Sequence, residues 1–150
     1  MKKFEFRLQT VLKLRRQQED QKKRVVGSFL AEINELQREA VGMAQAISEQ
    51  SQVLQQHIQG AVDIDWITYY HGYVANLQRS IGEKIKEVAK VQQKLIQARR
   101  ELTEAARQTR ILEKLKEKLM ERHDKQLKKM EVREIDEIGN QLFQPSRNTA

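Results

Sequence analysis

VGSFLAEINELQREAVGMAQAI, residues 26–47, decides the fold. Val26, Phe29, Ile33, Leu36, Ala40, Met43 and Ile47 are separated alternately by three and four residues. Apolar spacing that averages about 3.5 residues winds one helix around another and gives a seam in place of a globular core. Worked outward, the same register takes in Leu8 and Leu12 upstream and Leu54 and Ala61 downstream. Sixteen seam positions fall within residues 8–61, and eleven of them are apolar. The polar exceptions are Arg15, Glu19 and Lys22 early, and Gln50 and His57 late. Polar seam residues cost stability and can fix register. They can also mark where a helix leaves its partner and meets something else.

A first helix is expected over about residues 5–59, starting near Phe4 or Phe6. A turn follows at 60–65. Gly60 can end a helix in a left-handed conformation, and Asp65 is a good N-cap for the next one, with Asp63 as the rival cap. Ile64 and Tyr69 could form a hydrophobic staple across the Asp65 cap. A second helix is expected over about 66–143, with a frayed tail at 144–150 around Pro145. Its register restarts at Ile67 and passes through Tyr70, Val74, Leu77, Ile81, Val88, Val91, Leu95, Ala98, Leu102, Ala105, Leu112, Leu119 and Met130. Lys84, Thr109, Lys116, His123 and Gln126 interrupt it. A seam partner is therefore expected up to about Ala106 and less strongly beyond. Glu121 with Lys125 and Asp124 with Lys128 are i,i+4 pairs that support an exposed helix.

Two helices joined by a short turn run antiparallel. The expected architecture is all-α: two long helices in one antiparallel coiled-coil hairpin, a single domain, with the second helix longer. Folding near residue 62 sets Leu8 opposite about residue 116 and leaves about 25 residues of the second helix overhanging, nearly 40 Å at the helical rise. The competing architecture is one continuous dimeric coiled coil, against which Gly60 and the two turn aspartates argue.

Composition bounds what such a chain can do. Of 150 residues, 33% are charged and 5% aromatic, with a single proline and no cysteine. That excludes disulfides and thiolate metal sites and suits a reducing cytosol. No stretch approaches the roughly 18 apolar residues of a membrane span. The opening MKKFEFR has basic residues with no apolar core behind them and is not expected to act as a secretory signal. The net charge of +7 is unevenly spread. Residues 1–24 hold nine Lys/Arg against three acids, residues 25–64 hold only Arg38 against five acids, and residues 99–129 hold eleven Lys/Arg against six. In a hairpin the two basic stretches meet at one end, suited to an acidic partner or an anionic surface. Ordinary solvated helix faces are the plainer reading.

Catalytic, cofactor and metal sites are not expected. His57, His71 and His123 lack the i,i+4 spacing of a helical zinc site. Glu83 and Glu87 lie one turn apart, as acids do on most exposed helices. Gly82-Glu83-Lys84 lacks the rest of a phosphate-binding loop, and no serine sits in a Gly-x-Ser-x-Gly setting. A two-helix seam shields no group from water, so nothing would shift a pKa towards catalysis. A pI near 9.7 makes a nucleic-acid-binding or scaffolding coiled coil the alternative function. Acids interleave the basic residues, however, and no aromatics stand among the late lysines to stack bases. The aromatics gather just past the turn, at Trp66, Tyr69, Tyr70 and Tyr73. Tyr70 and Tyr73 are expected towards the seam side with Leu77. The group could pack across the turn, or offer anchors to a partner.

Three segments are similar to the flagellar FliJ family. They are FEFRLQTVL at 4–12, WITYY at 66–70 with Tyr73, Val74 and Leu77 behind it, and LEKLKEK at 112–118 followed by EVREIDE at 131–137. The resemblance covers essentially the whole chain. It implies a non-enzymatic, soluble component of the type III export apparatus, cytoplasmic and peripheral at the inner membrane's cytoplasmic face. It implies a stalk whose termini enter the pore of a hexameric export ATPase, which contacts a membrane-embedded export gate and escorts empty export chaperones. On this reading the ATPase end would use Arg15, Lys22, Lys116, Lys118, Arg122 and Lys125. The gate would be met through Tyr73, Leu77, Ser80 and Lys84, the last two being loose matches. No cofactor and no nucleic acid are implied.

Overall fold

The structure, a computed structural model, describes residues 3–58, 60 and 63–143. Two helices make up nearly all of it: α1, Gln9–His57, and the longer α2, Ile64–Phe143, packed against each other. No strand occurs among the described residues. The chain divides into two compact units, Glu19–Ala105 and the pairing of Met1–Gln18 with Ala106–Ala150.

In the unit of residues 19–105, Lys22 Nζ meets Glu101 at 3.0 Å and Lys84 Nζ meets Glu39 at 2.7 Å. Moving forward along α1 from Lys22 to Glu39 moves back along α2 from Glu101 to Lys84 by the same number of residues, so the segments are antiparallel. Between these bridges Ile33, Leu36, Val91 and Leu95 are buried as one cluster, with Val26, Phe29 and Val88 against it. Removing this aliphatic surface from water drives the pairing, because the helices' outer faces are charged.

The other unit is also antiparallel. Lys116 Nζ donates to Gln9 Oε1 at 2.9 Å and Arg15 Nη1 donates to Gln108 Oε1 at 2.5 Å. Phe6, Leu12 and Thr109 are buried, Leu12 completely. The contact of Gln9 with Lys116 lies one residue from the register expected for Leu8. The expected interruptions of the second seam are members of it: Lys84, Lys116 and His123 are half-buried and Thr109 is buried. Gln126 is exposed, and beyond Leu127 every described residue except Gly139 is exposed. The overhanging part of α2 thus begins about where the N-terminal segment runs out.

Local details depart from expectation. Helix α1 begins at Gln9 and not near residue 5, and residues 3–6 are non-helical. Phe4 and Phe6 stand off the 3.5-residue register. As extended chain, Phe6 becomes buried and the Phe4 ring meets His123 at a centroid distance of 5.7 Å. A straight helix could not place both rings there. At the turn, Gly60 does not adopt a left-handed conformation, and its amide reaches the His57 carbonyl at 3.4 Å. The cap of α2 is Asp63, not Asp65: the Asp65 amide donates to Asp63 Oδ1 at 3.0 Å, and the Ile67 amide to the Asp63 carbonyl at 3.1 Å. With the cap two residues earlier the staple register is lost, and Ile64 and Tyr69 are both exposed. The tail expected at 144–150 lies outside the described residues.

Candidate partner-binding surfaces

The positions named for the ATPase end separate into two kinds. Arg15, Lys22 and Lys116 are half-buried seam residues engaged across the helix pair: Arg15 with Gln108, Lys22 with Glu101, Lys116 with Gln9. Lys22 belongs to the unit of residues 19–105 and the other five to the unit that holds both chain ends. Lys118, Arg122 and Lys125 are exposed. Steps of four and three place them on a single face of α2.

That face borders a shallow groove of about 560 Å³ beside the N-terminal segment, lined among others by Phe4, Glu5, Leu8, Leu115, Leu119 and Arg122. Gln9, Lys116 and Met120 line a second hollow on the segment's other side. The opposite flank of this helix pair is tied by Arg16 Nη2 to Glu113 at 3.4 Å. Sequence reading missed the part played by Phe4 and Phe6. The available signal was their failure to fit the register that begins at Leu8.

Past the turn, the aromatics divide into a packed set and an exposed pair. Trp66 stacks on His57 across the turn, with centroids 4.6 Å apart and planes 12° from parallel, and Tyr70 stacks on Trp66 and is buried. Tyr69 and Tyr73 stack on each other on the outside, and Tyr69 is 73% exposed. Tyr73 therefore does not share the seam side with Tyr70: three residues advance the helix by about 300°, which turns Tyr69 and Tyr73 about 60° away from Trp66 and Tyr70.

Tyr73, Leu77, Ser80 and Lys84 follow one another by four, three and four residues, forming a stripe along α2. Tyr73 is exposed; Leu77, Ser80 and Lys84 are half-buried. The Lys84 ammonium is engaged by Glu39, whose hydrogen bond holds its pKa above the ordinary lysine value. Likewise the hydrogen bond from Lys22, with a second from Gln97, holds the Glu101 carboxyl below the ordinary carboxylate range. Both shifts are those of cross-seam pairs.

Among the described residues no group of three or more His, Cys, Asp or Glu could hold a metal ion, and no helix is long and apolar enough to cross a membrane. No curated protein matches the sequence. Among solved structures, CT670 from Chlamydia trachomatis, a proposed YscO homolog, is similar at 18% identity, with 93% of this chain and 95% of that chain covered and a TM-score of 0.45. The family profile described as "Flagellar FliJ protein" matches residues 4–148. The match spans both helices, the turn between them and the N-terminal segment, and on that ground the chain belongs to the flagellar FliJ family.

Proposed function

We propose that this protein is a non-enzymatic stalk of the flagellar type III export apparatus, working in the cytoplasm and peripherally at the cytoplasmic face of the inner membrane. The unit that holds both chain ends binds the hexameric export ATPase within its pore. The stripe after the turn contacts the membrane-embedded export gate, and the same chain escorts export chaperones. No cofactor and no nucleic acid take part. Coupling between ATPase and gate is by rigid contact, since the chain offers no bond chemistry.

The observation that carries the ATPase contact is the shared exposed face of Lys118, Arg122 and Lys125. Exposed charges on one face steer association with an acidic surface and set its salt dependence. Arg15 and Lys116 enter this reading as residues that hold the seam of the same unit, and Lys22 as one that holds the seam of residues 19–105. Support for the gate contact is the exposed Tyr73 at the head of the Leu77, Ser80 and Lys84 stripe.

The decisive experiment is capture of the assembled ATPase hexamer by the full chain and by a Lys118→Glu, Arg122→Glu, Lys125→Glu variant. Lys116 is left intact because its bond to Gln9 would confound the result. Capture should fall steeply in the variant and, for the unaltered chain, decline with added salt. Equal capture by both chains would rule out docking through this face. Tyr73→Ala should weaken gate capture while leaving ATPase capture unchanged.

A further inference from the structure

On the unit of Met1–Gln18 with Ala106–Ala150 one flank is apolar and basic while the other carries carboxylates. From α1, the steps 7, 11, 14 and 18 place Arg7, Val11, Leu14 and Gln18 on the first flank. From α2, the steps 107, 111, 115, 118, 122, 125, 129 and 133 place Arg107, Ile111, Leu115, Lys118, Arg122, Lys125, Lys129 and Arg133 there. No carboxylate occurs in either series. Val11, Leu14, Ile111 and Leu115 are 39%, 51%, 58% and 39% exposed. They adjoin the groove lined by Leu8, Leu115 and Leu119, where Arg122 stands at the rim and Glu5 is the carboxylate among the lining residues. The opposite flank is closed by Arg16 with Glu113 and by Lys116 with Gln9, and steps of four and three from Glu113 reach Glu117 and Asp124.

Single exposed leucines are ordinary; four aliphatic side chains gathered on one flank of two helices mark a contact surface. The flank of two antiparallel helices, continued by the groove between residues 4–8 and α2, has the shape that takes a third helix by its apolar stripe. The basic series continuing along α2 fixes the partner's charge.

We infer that this flank is the docking site for an acidic amphipathic helix of another protein, seated on Val11, Leu14, Ile111 and Leu115, with its carboxylates facing Lys118, Arg122, Lys125 and Lys129. This rests on the export-stalk reading in treating that face as the ATPase-docking face, and adds what the partner must present there. From Ile111 to Arg133 the helical rise gives about 33 Å, so a helix of about 20 residues fits. The flank carries no aromatic side chain of the kind that anchors proteins at a lipid interface, which favours a helix over a membrane surface.

The test uses the full chain and a labelled synthetic 20-residue helix with leucines on one face and glutamates beside them, read by fluorescence anisotropy. A lysine-for-glutamate version and a scrambled version serve as comparisons. The acidic helix should bind, weaken with salt, and lose about tenfold in affinity with Val11→Asp plus Ile111→Asp, exposed changes that circular dichroism should show to leave helicity intact. Lys118→Glu with Arg122→Glu should weaken it comparably, and Glu117→Lys on the other flank should not. Binding equal to that of the scrambled helix, or unaffected by Val11→Asp with Ile111→Asp, overturns the inference. So does preferential binding to phosphatidylglycerol vesicles, or a dimer in sedimentation that the same aspartates dissolve. If the acidic helix fails while the Lys118, Arg122 and Lys125 reversal still abolishes ATPase capture, only the helix docking is wrong; if that reversal leaves ATPase capture intact, the export-stalk docking fails with it.

Discussion

Where Ile33 and Leu36 meet Val91 and Leu95, the seam is closed by aliphatic side chains. Where Arg15 meets Gln108 and Lys116 meets Gln9, the same heptad positions are filled by long polar side chains that bond across it. The first arrangement concentrates burial in one cluster, while Val25, Leu30, Ile85 and Ile96 stay exposed around it. The second buries Leu12 and Phe6 but leaves Val11, Leu14, Ile111 and Leu115 outside. Two-helix pairs have too little interior to bury every apolar residue, so what the seam does not take remains for partners. The units thus differ in how the seam is closed, by an aliphatic cluster in one and by Leu12, Phe6 and long polar side chains in the other.

That contrast is most easily broken by deleting seam bulk. Leu95→Ala or Leu36→Ala should cost about 3 kcal/mol, read as a shift in the urea midpoint. A loss below about 1 kcal/mol would mean that the aliphatic cluster is not what holds residues 19–105 together. Amide exchange should agree, slowest around 33–36 and 91–95 and faster at 109–116. Asp63→Ala removes the side-chain acceptor at the start of α2 and should cost about 1 kcal/mol, whereas Asp65→Ala should cost much less. Equal costs for the two would restore Asp65 as the cap.

Smaller effects sharpen the comparison through pH. The Glu101 carboxyl is lowered in the folded chain by Lys22 and Gln97. Its contribution is therefore fully present above the unfolded carboxylate value and is lost as pH falls through the lower folded one. Glu101→Gln should flatten the acid limb of a stability–pH curve, and an unchanged limb would show that the pair contributes nothing. Lys84 has the opposite sign: its raised value keeps its contribution below the ordinary lysine pKa and loses it as pH rises through the folded one. Least of all, Tyr69→Ser and Tyr73→Ser should move the melting temperature little while Tyr70→Ala lowers it, since only Tyr70 is buried.

Much of the fold was legible because helical periodicity is local. The seam positions from Ile67 to His123 could be counted along the chain, and each of them is at least half-buried. The N-terminal segment was not legible in the same way. Phe4 and Phe6 have helix-compatible neighbours, and only burial of Phe6 and contact with His123 favour extended chain over a further turn of helix. The choice between Asp63 and Asp65 turned on a single hydrogen bond, and two residues of equal capping propensity leave that choice to geometry.

The candidate surfaces show the same division. Spacing alone put Lys118, Arg122 and Lys125 on one face. It could not tell that Arg15, Lys22, Lys84 and Lys116, also basic, are bonded across the seam. Whether a long charged side chain at a seam position snorkels to water or bonds its opposite number depends on what stands across from it. That is fixed by register between segments about 45 to 110 residues apart.

The amino-acid order by itself determined two helices and the apolar positions of their seam, because a 3.5-residue apolar period lines up one stripe on each helix, and the short turn at 60–65 made antiparallel pairing the expected outcome. Only the tertiary structure decided which basic residues are held inside that seam and which remain outside, because the distinction lies in cross-helix partners that no local pattern encodes.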